Sequence, residues 1–290
     1  MRERNQSPAT TIGALSEQAR SIEPDRYLAA LLAPVEAQPG LLAVTAFLAE
    51  ITRIPATVSD PMIGEIRLQW WRDTIAAVAK GEVCGHPVAD AFGTAIRQHG
   101  LDLAMLHRLI DARGFDLTGE LYVDEVALAS GLTDSEGIAF SLASQILANQ
   151  ALPADLAADA GHAYGLARSL GRLPERLHNG GFPLPHSLLA THGVTPSMLA
   201  ERPFAARTVS GVDDAVASLE QQARAALANI RARLPDLSPA QIAALSPLVM
   251  VEPYLRAQRR QGFRRLEHMA EVLPIVRFWR LGQARWNGRL

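Results

Sequence analysis

The stretch Asp60-Pro61-Met62-Ile63-Gly64-Glu65-Ile66-Arg67-Leu68-Gln69-Trp70-Trp71-Arg72 opens a helix and shows what kind of helix it is. The Asp60 carboxylate can accept the backbone N–H groups that a first turn leaves free, and the fixed φ of Pro61 suits the first helical position. Met62, Ile66 and Trp70 mark one apolar stripe, while Leu68, Trp71, Ile75 and Val78 mark another. A helix apolar on two sides needs neighbours on two sides, so this one belongs inside a bundle. Elsewhere alanine and leucine dominate and alternating Val/Ile/Thr runs are scarce, which makes the expected fold class all-α.

Working outward, the apolar spacing predicts helices over about 25–33, 40–54, 87–98, 102–112 and 118–129. Thr133-Asp134-Ser135-Glu136 has capping-box spacing and should open a helix running to Asn149. Pro153 should start the next, through Ala160, Tyr164, Ala167 and Leu170, with Gly171 and Pro174 ending it. Asn179-Gly180-Gly181-Phe182-Pro183-Leu184-Pro185 reads as a loop. Segments 211–233 and 239–262 are expected to pair antiparallel across Pro235, followed by a last helix over 271–283. No repeat or linker divides the chain, so it reads as a flexible N-terminal tail, 1–22, and one helical domain, 23–290.

The 290 residues are 48% hydrophobic and 20% charged, as a chain with a sizeable core should be. A net charge of -2 excludes a globally basic nucleic-acid binder. Among 28 cationic residues only Lys80 is lysine, a skew that fits genome composition in so alanine-rich a chain. The single cysteine, Cys84, excludes an intramolecular disulfide and a cysteine-based zinc site. The apolar run Leu41 to Leu48 meets Glu50 and Arg53 at once, so no membrane span is expected. There is no Walker loop, dinucleotide fingerprint, His-Glu-x-x-His or Gly-x-Ser-x-Gly. His178 and His186 flank the loop without a carboxylate at ligand spacing, His86 reads as adjoining a helix start, and Trp70-Trp71 reads as core.

The order of segments resembles the squalene/phytoene synthase family. The likeness is carried by Asp25-Arg26-Tyr27-Leu28, Ala46-Phe47-Leu48-Ala49-Glu50-Ile51, Ile66 to Arg72, and His86-Pro87-Val88. Leu109 to Leu117, Gly137 to Leu147, and Gly165 to Pro185 continue it, over about residues 25–270 in all. The resemblance implies a single-domain, isoprenoid synthase-like helical bundle around a central cavity. Active members ionise prenyl diphosphates with Mg²⁺ clamped between aspartates on two facing helices, because hard oxygen ligands suit that ion.

This chain departs from the pattern at every expected aspartate. The positions of the first motif read Thr52-Arg53-Ile54-Pro55-Ala56, and those of the second fall on Arg168, Arg172 and Arg176. The basic residue that active members place before the first motif is Ala49, and an expected tyrosine is Gly131. Glu50 and Glu175 remain, but a fixed positive charge repels Mg²⁺. No metal site or cofactor is expected, and no catalytic residue is assigned; Mg²⁺ returns only if the chain is a prenyltransferase with an atypical diphosphate site.

The arginines admit two readings. In one, Arg53, Arg168, Arg172 and Arg176 line the cavity beside Glu50 and bind a prenyl or other anionic small molecule directly, provided the helix continues past Gly171 and Pro174. In the other, those breakers end the helix and the arginines are solvated or paired with acids such as Glu50 and Glu175. The absent aspartates and the run Gly64 to Trp71 are also similar to the non-catalytic branch related to a mitochondrial assembly factor for respiratory complex I. That likeness implies a binding or assembly role with a protein partner in the respiratory chain.

From Glu252 to Leu290 there are nine arginines and three glutamates. Arg256, Arg260 and Arg264 are expected on one helical face, with Phe263, Phe278, Trp279 and Trp286 as aromatic anchors. Such an end suits an anionic lipid surface, and equally a solvated face with a core-packed last helix. The expected location is cytoplasmic, peripheral on the inner face of a membrane. Nucleic acid is not an expected partner.

Overall fold

The computed structural model describes residues 17–178, 184–201, 203–259, 264–288 and 290. Every regular element among them is helical. A short first helix, α1, covers residues 17–22, and α2 (Pro24–Leu31), α3 (Gln38–Thr57), α4 (Pro61–Ala79), α5 (Pro87–His99) and α6 (Leu103–Thr118) follow. Next come α7 (Glu125–Leu132), a π-helical turn (Thr133–Gly137), α8 (Ile138–Ala148), α9 (Ala154–Leu170) and α10 (Leu173–His178). After α11 (His186–Thr191) and α12 (Pro196–Ala200), the long α13 (Ala206–Arg233) is followed by α14 (Pro239–Ala244), α15 (Val251–Ala257) and α16 (Pro274–Asn287).

The opening stretch forms the expected helix, but only one of its two apolar stripes is covered: Leu68, Trp71, Ile75 and Val78 are buried, whereas Met62, Ile66 and Trp70 are exposed, so α4 has neighbours on one side and not on two. Asp60 accepts from the Met62 N–H at 2.9 Å, Pro61 begins α4, and Trp71 is buried edge-on to Phe47, which stacks on Phe92. Trp70 stays partly exposed, and His86 caps α5 through Nδ1. Two apolar clusters form the core. One joins α2–α6 with most of α8; the other joins α7 and α9 with α11, α13 and α15. Helix α3 is long and apolar enough to cross a bilayer, contrary to expectation, but most of it is buried in the first cluster, as a core helix should be.

Several boundaries differ from expectation for identifiable reasons. The tail assigned to 1–22 already holds α1, whose Ala19 is buried; residues 1–16 lie outside the described part. The helix expected over 118–129 is absent at its start. Gly119, at φ 66°, closes α6 in a conformation open to glycine, and Asp124 then caps α7 by accepting from the Ala127 N–H. Thr133 opens nothing: α7 runs straight into the π turn, where the Thr133 hydroxyl donates to the Ala129 carbonyl, so no helix start needs capping. The helix expected over 239–262 is broken, because Pro247 interrupts it and a 3₁₀ turn (Ser246–Met250) intervenes before α15. Of the expected loop 179–185, residues 179–183 lie outside the described part.

The π turn has a packing reason. Gly137 in it meets Gly161 of α9 so closely that a Cβ on Gly161 would lie 2.6 Å from the Gly137 nitrogen and 2.6 Å from the Leu132 carbonyl oxygen. Both obstacles are backbone and cannot rotate aside. Gly161→Ala is therefore expected to cost about 1–3 kcal/mol or more by forcing the two elements apart. Urea denaturation would measure it, and an unchanged midpoint would contradict the close crossing.

Candidate functional site

Where the two apolar clusters meet, the chain buries charge. Glu23 and Arg26 come from the start of α2, Glu136 from the π turn, and Arg168 from α9, one turn after Tyr164. Arg168 grips Glu23 with two parallel bonds, Nη1 to Oε2 at 2.8 Å and Nη2 to Oε1 at 2.7 Å, and donates to the Ile22 carbonyl at 2.6 Å. Arg26 bridges the two acids, donating to Glu23 at 2.8 Å and to Glu136 at 2.7 Å. Its guanidinium also lies over the rings of Phe140 and Tyr164, at 5.2 and 4.9 Å.

The lattice continues outward. Arg113 of α6 stands 3.5 Å from Glu136 and donates to Asp116 at 3.2 Å; Arg176 of α10 donates to the other Asp116 oxygen at 2.9 Å. Burial alone would raise the Glu136 carboxyl, but Arg26, Arg168 and Arg113 overcome it and hold the group at about 2. Glu23 is likewise held below the usual range: burial opposes ionisation, and Arg168 and Arg26 win. These carboxylates are anions, each already paired with at least two guanidinium groups.

Two chambers flank this lattice. An apolar one of about 440 Å³ is lined by residues including Ala30, Val44, Ala139, Ala143 and Leu281, with Arg26 at its inner wall. A polar one of about 220 Å³ brings Arg53, Arg168, Arg172 and Arg176 together with Arg113 and Glu136. The Arg26–Glu136 bond joins the wall of the first to the wall of the second.

The four arginines singled out from sequence thus share one cavity, although α9 ends at Leu170 and α10 starts anew at Leu173. They are also paired. Arg172 donates twice to Glu175, at 2.6 and 2.8 Å, while Arg53 has only a loose 3.5 Å pair with Glu50. Arg168 and Arg176 take partners that the sequence did not suggest, Glu23 with Glu136 and Asp116 respectively. Glu136 sat in an expected capping box, so its chemistry was hidden; Asp116 lies one turn from Arg113, a spacing that could have signalled the pair.

This donor set does not fit a magnesium clamp. Among the described residues no three of His, Cys, Asp and Glu come together, and each carboxylate around the polar chamber faces at least one guanidinium. At the position of the missing tyrosine, a Cβ on Gly131 would lie 2.6 Å from the Tyr122 hydroxyl, so another tyrosine fills that space. Burial, with Asp116 nearby, pushes the Tyr122 hydroxyl up to about 12.

The basic face expected at the C-terminal end is not one face. Helix α15 ends at Ala257, so Arg256 is its last turn while Arg264 lies beyond it; each pairs locally, with Glu252 and Glu267. Arg260 and Phe263 lie outside the described residues. Phe278, Trp279 and Trp286 are exposed on α16.

The model for the family described as squalene/phytoene synthase matches residues 19–280. The chain belongs to the squalene/phytoene synthase family. Within the squalene/phytoene synthase fold it is similar to squalene synthase HpnC from Alicyclobacillus acidocaldarius, with a TM-score of 0.71 and 21% identity over 89% of this chain and 97% of that one. A dehydrosqualene synthase solved with a ligand superposes with a TM-score of 0.77 and 16% identity, covering 96% of each chain. Among curated relatives, complex I assembly factor 6 of Mus musculus is 26% identical over 272 residues, 91% of this chain and 80% of that protein. The Homo sapiens protein of the same name is 25% identical with the same coverage. The all-α, isoprenoid-synthase type of helical bundle is thus established.

Proposed function

We propose that this chain is a non-catalytic member of its family, a binding or assembly factor for respiratory complex I that needs no metal. The observation that carries the reading is the buried lattice of Arg168, Glu23, Arg26 and Glu136. Prenyl transfer of the family's type needs carboxylates free to hold Mg²⁺, and here the carboxylates are spent on guanidinium. Similarity to complex I assembly factor 6 along 91% of the chain supports the process. We place the protein at the inner face of a respiratory membrane. The exposed Ile275, Trp279 and Trp286 of α16, interspersed with Arg280 and Arg285 and without an acid in that helix, suit an anionic lipid surface.

Deleting the gene is expected to lower NADH:quinone oxidoreductase activity and leave isoprenoid content unchanged; unchanged complex levels would overturn the assembly role. The apolar chamber favours a second reading, a prenyltransferase whose arginines replace the metal. Purified protein with farnesyl or geranylgeranyl diphosphate, with and without Mg²⁺, separates the two. No diphosphate release is expected, and turnover above that of an Arg172→Ala, Arg176→Ala control would favour the enzyme.

A further inference from the structure

Helix α4 is apolar on the side that the fold leaves open. Its buried face holds Gly64, Leu68, Trp71, Ile75 and Val78, and on the opposite one Met62, Ile66 and Trp70 are 71%, 64% and 42% exposed, with Ile63 beside them at 46%. Single exposed apolar residues are ordinary. Four large ones within three turns form a patch, and a contiguous apolar patch marks a contact surface. Trp70 is also held still: its ring stands edge-on to Trp71 at 5.0 Å and to His86 at 5.3 Å. Its free face is thus set before anything binds, as suits an aromatic anchor in a protein interface.

The patch has charged borders. On the side toward α6, Glu65 and Asp111 share Arg72, at 2.7 and 2.8 Å, while Asp73 accepts from the neutral Gln69 amide at 2.8 Å. Three acids against one base leave this edge negative, and Arg108 of α6 is taken by Asp134. On the other side of the stripe stands Arg67, which donates to the Thr57 hydroxyl at 3.3 Å.

These features select an occupant. The acidic edge repels anionic lipid, in contrast to α16, which carries no acid. A second copy set antiparallel across a two-fold axis would bring the acidic edge against itself. Met62, Ile66 and Trp70 lie four residues apart, and such a row is a ridge that fits the groove between two like rows on another helix. We infer that the outer face of α4 docks a helix of a protein partner, apolar along one side and carrying arginine or lysine along the edge that meets Glu65, Asp73 and Asp111. This deepens the assembly role proposed above and rests on it for the partner's setting.

Two measurements keep the docking face and the assembly role apart. In cells lacking the gene, the wild-type chain is expected to restore NADH:quinone oxidoreductase activity. Met62→Glu with Ile66→Glu should restore under about a tenth of it, Asp73→Lys about three- to tenfold less than wild type, and Ile66→Leu all of it. The double variant should melt within about 2 °C of wild type, because both side chains lie largely in solvent. Full restoration by the double variant would overturn the docking face; a deletion that leaves the activity intact would overturn the role. Photo-crosslinking from benzoylphenylalanine in place of Ile66 tests the face whatever becomes of the role. The expected product joins a basic helical segment of another protein, identified by mass spectrometry. Its yield should fall at least about fivefold with Asp73→Lys and reach background when the probe replaces the exposed Val126 of α7. No crosslink, one to lipid alone, or one to a second copy of this chain would overturn the inference.

Discussion

Replacing Glu136 by alanine is expected to destabilise the protein by about 3–5 kcal/mol, the range for removing one partner from a buried charge cluster. Glu136 is within 4.0 Å of three arginines, at 2.7 Å from Arg26, 3.5 Å from Arg113 and 3.8 Å from Arg168. Without it, those three cations and Arg176 would share only Glu23 and Asp116. The loss is much larger than that of an exposed pair such as Arg264 with Glu267, whose truncation should cost under about 1 kcal/mol. The same carboxylate sets a pH signature. Its ordinary value is 4.5 and in the folded protein it sits at about 2, so the unfolded chain takes up a proton in this interval that the folded chain refuses. Its stabilising contribution is full above 4.5 and disappears as pH falls toward 2. Urea midpoints from pH 6 to pH 2 should therefore converge between wild type and Glu136→Gln at the acid end. A gap that stays constant with pH would contradict the assignment.

Replacing Asp25 by alanine should cost as much, about 3–5 kcal/mol, and its effect should be concentrated on the last helix. Asp25 is fully buried. One oxygen accepts from the Tyr164 hydroxyl at 2.8 Å and the Tyr254 hydroxyl at 2.7 Å, and the other accepts from Arg277 Nε. A single carboxylate thus ties α2 to α9, α15 and α16. Burial and the adjacent Asp25 push both tyrosine hydroxyls well above their usual range, so they remain neutral donors and would lose their acceptor on substitution. Helix α16 has few buried anchors, Leu281 and Ala284 among them, and is tied to α2 by Arg277 on Asp25 and by Arg285 on the Leu32 carbonyl. Hydrogen exchange in Asp25→Ala should rise across α16 before it rises in α9. Asp25→Asn, which keeps an acceptor, should lose less. Uniform exchange and an unchanged melting temperature would disprove the tie.

The arginine positions were legible in the sequence because they fall at fixed distances from Leu184-Pro185 and from the Ala46-Phe47 run. Their partners were not. Glu23 and Glu136 are 113 residues apart in the chain, yet both hold Arg26, and no local spacing marks such a meeting. Glu136 in particular carried a plausible local role that the continuous α7 and π turn made unnecessary. The failed basic face has a similar origin, since helical spacing holds only while the helix lasts, and α15 stops at Ala257.

By itself the sequence determined the class of fold and the loss of the aspartates. Helix propensity, capping residues and apolar stripes act within a few residues, and the identity of a side chain needs no fold to be known. Only the tertiary structure decided what the arginines do. Whether a guanidinium is solvated, paired or free to take an anion depends on which carboxylates are folded against it and how much water is left. Both are set where α2, α6, α9 and the π turn converge, between an apolar chamber and an arginine-lined one.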